Sequence, residues 1–300
     1  MTNRNSMFAR YVKLIVVCSV IASSSSSIFV NLIGAPPLAI GFWRLAIGVP
    51  FFAVPVLAGK RDELKTLTRR DIFLACLAGV FLFGHFFTWF NAVKMTNVAS
   101  AVTLAALHPL VVLAVTFFLY HQKVGLRPIM GIILALLGGA MIAGFDYRTL
   151  ATDNFVGDIF AVFAAIFFGL YLAVGDEGRK RVSGPVYVLL VFATCLVCFA
   201  VGCAATGTKV LGYTAKDYAL LVALTMICQV GAHAVFNLCI GYVDSLYVST
   251  WETGESVFAI ILGMIVLQQI PTQYQIIGCA VVVIGLLYYN FHVSKQQKKD

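Results

Sequence analysis

The chain has 300 residues, 61% of them hydrophobic and 11% charged, with a mean hydropathy of +0.93. Soluble domains carry about a quarter charged residues, so water is excluded as the solvent for most of this chain. The net charge of +8 would point to an anionic partner in a soluble protein. In a membrane protein, Lys and Arg instead orient loops at the cytoplasmic face, and nucleic acid is not an expected partner.

In hydrocarbon each backbone N–H and C=O must be satisfied within its own element. Long apolar runs therefore become helices, and the alternation of barrel strands is absent. At about 20 residues per crossing, helices are predicted at 12–33, 37–58, 72–93, 98–119, 125–145, 155–175, 184–204, 217–240, 245–267 and 273–292. The fold class is all-α: a polytopic membrane protein of ten transmembrane helices, with connections too short for a soluble domain. The first span is too long for a signal-peptide core and no A-x-A site follows Ser23 to Ser27, so it reads as uncleaved. With the N-terminus inside, 16 of the 21 Lys and Arg residues fall on the cytoplasmic side. Lys94, Arg148, Lys209 and Lys216 lie outside and Arg44 falls within a span. This bias predicts that both termini are cytoplasmic.

All eight cysteines fall within predicted spans, where they read as small apolar residues. Cys195 and Cys198 have CxxC spacing but no second pair, so neither a metal site nor a cofactor is expected.

The chain also repeats itself. Phe90-Asn91 matches Phe236-Asn237 at an offset of 146, and Thr103, Gln122, Ile129, Gly131 and Gly138 match Thr250, Gln269, Ile276, Gly278 and Gly285 at 147. These matches lay spans three to five over spans eight to ten. An odd number of helices per half makes the second copy enter the membrane from the opposite side. Such inverted repeats are typical of secondary transporters, whose substrate sites lie near the midplane between the halves.

Two pairs of segments carry a family resemblance: FNAVKMTNVASAVTLAALHPLVVLAVTFFLYHQ with GIILALLGGAMI, and FNLCIGYVDSLYVSTWETGESVFAIILGMIVLQQ with GCAVVVIGLLYY. In them the chain resembles the drug/metabolite transporter superfamily, in particular its EamA-like branch. The resemblance implies two five-helix repeats, 1–147 and 148–300, in a bacterial inner membrane, as a monomer or homodimer. Members commonly export amino acids, related metabolites or drugs, often on the proton gradient, while some relatives import or exchange nucleotides and cofactors. Gln122 and Gln269 stand where the family usually has Glu, and Ser256 where it has Pro.

An ionisable residue at mid-bilayer is expensive and usually faces a cavity or a partner, so such residues are the site candidates. At ~1.5 Å per residue, Glu255 lies near the midplane, and the offset of 147 makes His108 its counterpart; the two are expected to face each other, in the pathway or as a structural pair. Glu252 lies at i, i+3 from Glu255. Like charges in low dielectric resist joint ionisation, which would suit proton coupling by Glu252 and Glu255; otherwise Glu252 is solvated near the interface. Trp251 is a lipid contact or a substrate stack. Arg44 cannot lose its charge and needs an anion: either a substrate carboxylate, completing a zwitterion site with Glu255, or Glu252 or Glu255 as a structural pair or gate.

His85 and Trp89 share one face of span three, and His233 and Asn237 one face of span eight. Each His is a site candidate or a packed core residue, and Tyr171 is a weaker candidate of the same kind. Asn91 and Asn237 read as helix caps. Pro109 in span four, and Pro50 and Pro55 in span two, are expected to bend or open their helices. The Ser23 to Ser27 run offers small polar surface for helix packing or lines the pathway, and Gly138, Gly139 and Gly285 let helices approach.

The function that follows is secondary transport of a small amino-acid-like or charged metabolite by alternating access, with proton coupling. The rivals are an intramembrane enzyme or lipid-handling protein using His85, His108 and Glu255, and a scaffold or sensor. The chain shows no nucleophile motif or phosphate-binding loop, so an enzyme is not expected.

Overall fold

The structure, a computed structural model, describes residues 7–96, 98–119, 121, 125–143, 155–267 and 273–296. Among the described residues every regular element is helical. In chain order they are α1 (Met7–Ser24), α2 (Ser26–Leu32), α3 (Pro37–Gly59), α4 (Arg61–Thr66), α5 (Arg69–Met95), α6 (Val98–Ala105), α7 (His108–Phe118) and α8 (Leu126–Ala143). There follow α9 (Phe155–Gly178), α10 (Gly184–Thr206), α11 (Ala215–Leu224), a π-helix π1 (Thr225–His233), α12 (Ala234–Ile240), α13 (Ser245–Glu252), α14 (Glu255–Leu267) and α15 (Gln273–Gln296). Gln122 and Gln269 lie outside the described residues.

Among the described residues six stretches are long and apolar enough to cross a membrane: Arg10–Leu32, Pro37–Gly59, Arg69–Met95, Phe155–Gly178, Gly184–Thr206 and Ala215–Ile240. Shorter apolar helices occur at His108–Phe118, Leu126–Met141 and Ile276–Tyr289. Large apolar side chains such as Leu14, Val54, Phe73, Phe118 and Ile265 point outward. In water such a surface would drive association; against lipid it is the expected exterior. The chain is an all-α polytopic membrane protein.

Local chemistry sets the helix ends. Thr68 and Asp71 form a capping box at the start of α5, and Thr214 and Asp217 form another at the start of α11. Prolines in the first turns of α3 and α10 sit where no backbone donor is needed. Helix α10 stops at Gly207, whose φ of 66° is left-handed. Helix α3 runs uninterrupted through Pro50 and Pro55, contrary to the expected opening. Both prolines are exposed on the outer face, where their rings need no room inside the bundle.

Besides the interruption at Ser25 between α1 and α2, two matched breaks form among the described residues, at Ala106-Leu107 between α6 and α7 and at Thr253-Gly254 between α13 and α14. Leu107 N donates to Leu104 O at 3.2 Å and Leu110 N to Leu107 O at 3.0 Å. The pattern recurs 147 residues later, with Gly254 N on Trp251 O at 3.0 Å and Val257 N on Gly254 O at 3.1 Å. These tighter i, i+3 bonds mark a local 3₁₀ winding.

Helix α5 packs on α9, α3 on α10, α1 on π1 and α8 on α15. The α8–α15 crossing depends on glycine. A Cβ on Gly138 would lie 2.7 Å from Gly278 O, and one on Gly285 would lie 2.9 Å from Gly131 O. At the end of the bundle carrying α4, polar contacts join distant parts of the chain. Ser183 N and Oγ donate to the two Glu63 carboxylate oxygens at 2.7 and 2.6 Å, and Lys60 Nζ donates to Ser183 Oγ at 2.9 Å. Arg70 and Lys180 pair with Glu177 at 2.9 and 2.6 Å, and Arg181 with Asp71 at 3.7 Å. Partial burial pushes the Glu63 carboxyl up, but the Ser183 hydrogen bonds and the Lys60 charge outweigh it and hold it below the ordinary carboxylate range.

Two outcomes follow. Gly138→Val is expected to cost ~1–3 kcal/mol or more by overpacking, read as a lower Tm in detergent. Gly59→Ala, where a Cβ meets nothing within 4 Å, is the control; equal Tm values would contradict the packing. Glu63→Gln is expected to destabilise by about 1–2 kcal/mol near neutral pH. Because the folded-state carboxyl titrates lower than the unfolded one, its contribution is full above the ordinary carboxylate range and disappears as pH falls through the folded value. Tm difference against pH is the readout.

Candidate functional site

The two helix breaks leave backbone carbonyls without their usual donors. Pro109 has no N–H to give to Ala105 O, and Thr253 N turns to Thr250 O at 3.2 Å instead of reaching Ser249 O. His108 takes both. Its Nδ1 lies 2.9 Å from Ala105 O and its Nε2 lies 3.0 Å from Ser249 O. One imidazole therefore ties the break in one half of the chain to the break in the other.

Glu252 Oε2 stands 3.8 Å from His108 Nε2, and Glu252 Oε1 is buried without a hydrogen-bond partner among the described residues. The glutamate within ion-pair distance of His108 is thus Glu252, and the structural pair of His108 with Glu255 is not formed among the described residues. The break at Thr253-Gly254 separates the two carboxylates, so that Glu252 ends α13 and Glu255 begins α14. Glu255 instead accepts from Ser23 Oγ at 3.3 Å. Glu252 is 3% exposed, which excludes a solvated interfacial position.

A cavity of about 40 Å³ lies here, lined by Ser23, Ser26, His85, Trp89, Val102, Ala105, Ala106, His108, Phe168, His233, Glu252 and Glu255. A water molecule needs roughly 10–15 Å³ by this measure, so the space holds a few waters and no metabolite. Six of the eight candidates from the sequence line it. Aromatic contacts tie the wall together: the rings of His85 and Phe168 are 4.5 Å apart, His108 and Phe168 4.9 Å, and Phe86 and His233 4.8 Å. His85 Nδ1 lies 3.0 Å from Ala164 O, while His233 Nδ1 is buried without a partner.

Arg44 and Tyr171 stand outside the lining. Arg44 is fully buried, with Nε donating to Gln229 Oε1 at 2.7 Å and its guanidinium carbon 4.2 Å from the centre of the Phe86 ring. Neither of its terminal nitrogens has a hydrogen-bond partner among the described residues. Among the described residues it pairs with neither Glu252 nor Glu255, so the ion-pair alternative is not formed; the Phe86 ring contacts both the guanidinium and the His233 ring. Tyr171 accepts a hydrogen bond from the Asn237 amide. Asn91 and Asn237 do not cap helices: their amides donate to the carbonyls one turn back, Phe87 at 2.7 Å and His233 at 2.9 Å. Trp251 packs beside Tyr247 and does not line the cavity.

Sequence reasoning missed Phe168, which is one of 24 phenylalanines and carries no pattern of its own, and Gln229. The latter is a single polar residue within an apolar run and carries no pattern of its own. It sits in π1, whose nine residues exceed the single turn usual for a π-bulge, a feature common at functional sites. Among the described residues no group of three or more His, Cys, Asp or Glu could hold a metal ion.

The pattern of the EamA-like transporter family matches residues 11–144 and 155–291. An uncharacterised transporter of Bacillus subtilis is 27% identical over 160 residues, covering 53% of this chain and 51% of its own length. A second uncharacterised transporter, from Archaeoglobus fulgidus, is 30% identical over 114 residues, covering 38% and 40%. The chain thus spans about half the length of the curated relatives it matches, or less. A crystal structure at 19% identity superposes with a TM-score of 0.74 over 93% of this chain and 98% of that one, a likeness of fold. With the family's pattern running through both halves, the chain belongs to the EamA-like transporter family, a family of carriers and not of enzymes.

Proposed function

We propose that this protein is a secondary transporter of a small zwitterionic, amino-acid-like metabolite, working by alternating access and coupled to protons. The observation that carries the reading is a pair of buried, incompletely matched opposite charges. Among the described residues Arg44, at one end, keeps two terminal nitrogens without hydrogen-bond partners, and Glu252, at the other, keeps one oxygen without one. Between them runs the cluster of Phe86, His233, His85, Phe168 and His108. A substrate carboxylate would satisfy the guanidinium in the bidentate manner that Arg favours. Its ammonium would meet Glu252 and Glu255, and its side chain the aromatic wall.

Proton coupling is assigned to His108 with Glu252. A neutral imidazole has a single N–H, whereas His108 has a carbonyl at each ring nitrogen. Both carbonyls are served only by the imidazolium, with Glu252 as counter-charge. Proton binding would draw the two breaks together, and proton loss would loosen them.

The architecture proposed is ten transmembrane helices in two inverted five-helix repeats, 1–147 and 148–300, with both termini in the cytoplasm of a prokaryotic cell. Supporting the repeat are the capping boxes 146 residues apart and the helix breaks 147 residues apart. The α8–α15 crossing adds to this, since Gly138 faces Gly278 as Gly285 faces Gly131. Supporting the orientation is the crowding of Lys and Arg on one side of the spans.

The test is a thermal-shift screen of the purified protein with amino acids, their decarboxylated amines and their deaminated acids, followed by uptake into proteoliposomes with and without a proton gradient. Stabilisation by zwitterions alone is expected; equal stabilisation by an amine or an acid would reject the zwitterion site. Arg44→Gln, Glu255→Gln and His108→Ala should each reduce uptake at least tenfold, the order of a lost contact to a buried charge, while folded protein is retained. Wild-type uptake by all three would sink the assignment. In wild type an imposed gradient should drive accumulation, and in His108→Ala it should not.

A further inference from the structure

A second cavity, of about 350 Å³, lies away from the central site at the end of the bundle carrying α4. Its volume is within the ~300–1,000 Å³ of small-molecule sites. Lys60, Arg179, Lys180 and Arg181 line it together with Phe8 and Tyr242, and among the described residues no acidic side chain does. We propose that this cavity binds the phosphate headgroup of an acidic phospholipid.

The charge points to an anion. Among the described residues of the surrounding network five cations, Lys60, Arg70, Arg179, Lys180 and Arg181, outnumber four carboxylates, Glu63, Asp71, Asp176 and Glu177. Arg179 is only 6% exposed and forms no ion pair among the described residues. Its Nε donates to Asn237 O at 3.0 Å and its Nη1 to Val182 O at 2.5 Å. Two carbonyls hold the guanidinium in place without neutralising it. Glu63 already takes the amide and hydroxyl of Ser183 at the start of α10, so the cationic wall, and not the helix end, is what attracts the ligand.

The surroundings point to a lipid rather than a soluble phosphate ester. The rings of Phe8 and Tyr242 pack 5.2 Å apart along the cavity. One turn from Phe8 on α1, Tyr11 is 47% exposed, and one turn before Lys60 on α3, Leu57 is 53% exposed. Cationic and apolar surfaces thus meet where the spans give way to polar loops, the setting in which basic pockets between transmembrane helices take acidic headgroups.

The test uses the purified full-length protein in a neutral detergent, titrated with short-chain phosphatidylglycerol, short-chain phosphatidylcholine and glycerol 3-phosphate, with Tm and native mass spectrometry as readouts. Phosphatidylglycerol should bind and raise Tm, with phosphatidylcholine roughly tenfold or more weaker and glycerol 3-phosphate without effect. Arg179→Gln should lose the preference. Because that change also removes two backbone contacts, the exposed double variant Lys180→Gln/Arg181→Gln provides the second measure and should weaken phosphatidylglycerol about tenfold while the protein stays folded. Equal binding of both lipids, an equal response to glycerol 3-phosphate, or wild-type affinity in the double variant would each overturn the proposal.

Discussion

A backbone carbonyl that loses its donor inside a membrane has no water to turn to, and leaving it unsatisfied costs roughly 1–3 kcal/mol. The centre of this protein is organised around two such carbonyls, Ala105 O and Ser249 O, and the one imidazole that faces both. Pro109 creates the first vacancy by its chemistry, and the tightened turn at Thr253-Gly254 creates the second by its geometry. His108 and Glu255 each begin the half-helix that follows a break, which brings charge and polar backbone to the same depth. Backbone satisfaction and side-chain charge therefore become a single problem with a single solution.

Arg44 presents the opposite case. A buried guanidinium with one strong hydrogen bond and two ring contacts is incompletely matched by its surroundings: the nearer face, Phe86, offers a cation–π attraction of about 2 kcal/mol when desolvated, and Phe90 lies farther off. Incompletely paired buried charge is a poor way to stabilise a fold. It is a good way to hold a site ready for a ligand that brings its own counter-charge.

Depth along a helix was legible in the sequence because span length and loop charge set it, and the offset of 147 then matched His108 to Glu255. The choice of partner was not legible. Glu252, and not Glu255, approaches His108 because the break between them reorients one carboxylate relative to the other, and nothing in a regular helical projection anticipates that. Pro109 and Pro50 illustrate the same limit. Both remove a donor, yet only the inward-facing Pro109 breaks its helix, while Pro50 faces outward on an intact one. Gln229 escaped notice because its role depends on π1, whose wider winding no hydrophobic period announces. Tyr171 looked like a cavity residue from its place in an apolar span, but the Asn237 amide claims its hydroxyl.

The division between rigid and adaptable parts follows from the same contacts. Where α8 crosses α15, glycine lets backbone meet backbone, and such a crossing has little freedom to slide without collision. Helices α6, α7, α13 and α14 surround the cavity with their regular bonding already interrupted, so changing their angle costs fewer hydrogen bonds than bending an intact helix would. A cavity of about 40 Å³ must expand to admit any metabolite, and expansion is cheapest at these interruptions. Holding them together is His108, whose two carbonyl contacts can both be hydrogen bonds only when both ring nitrogens carry protons. On the proposed reading, the element that would move is thus secured by a group whose bonding capacity changes with a proton.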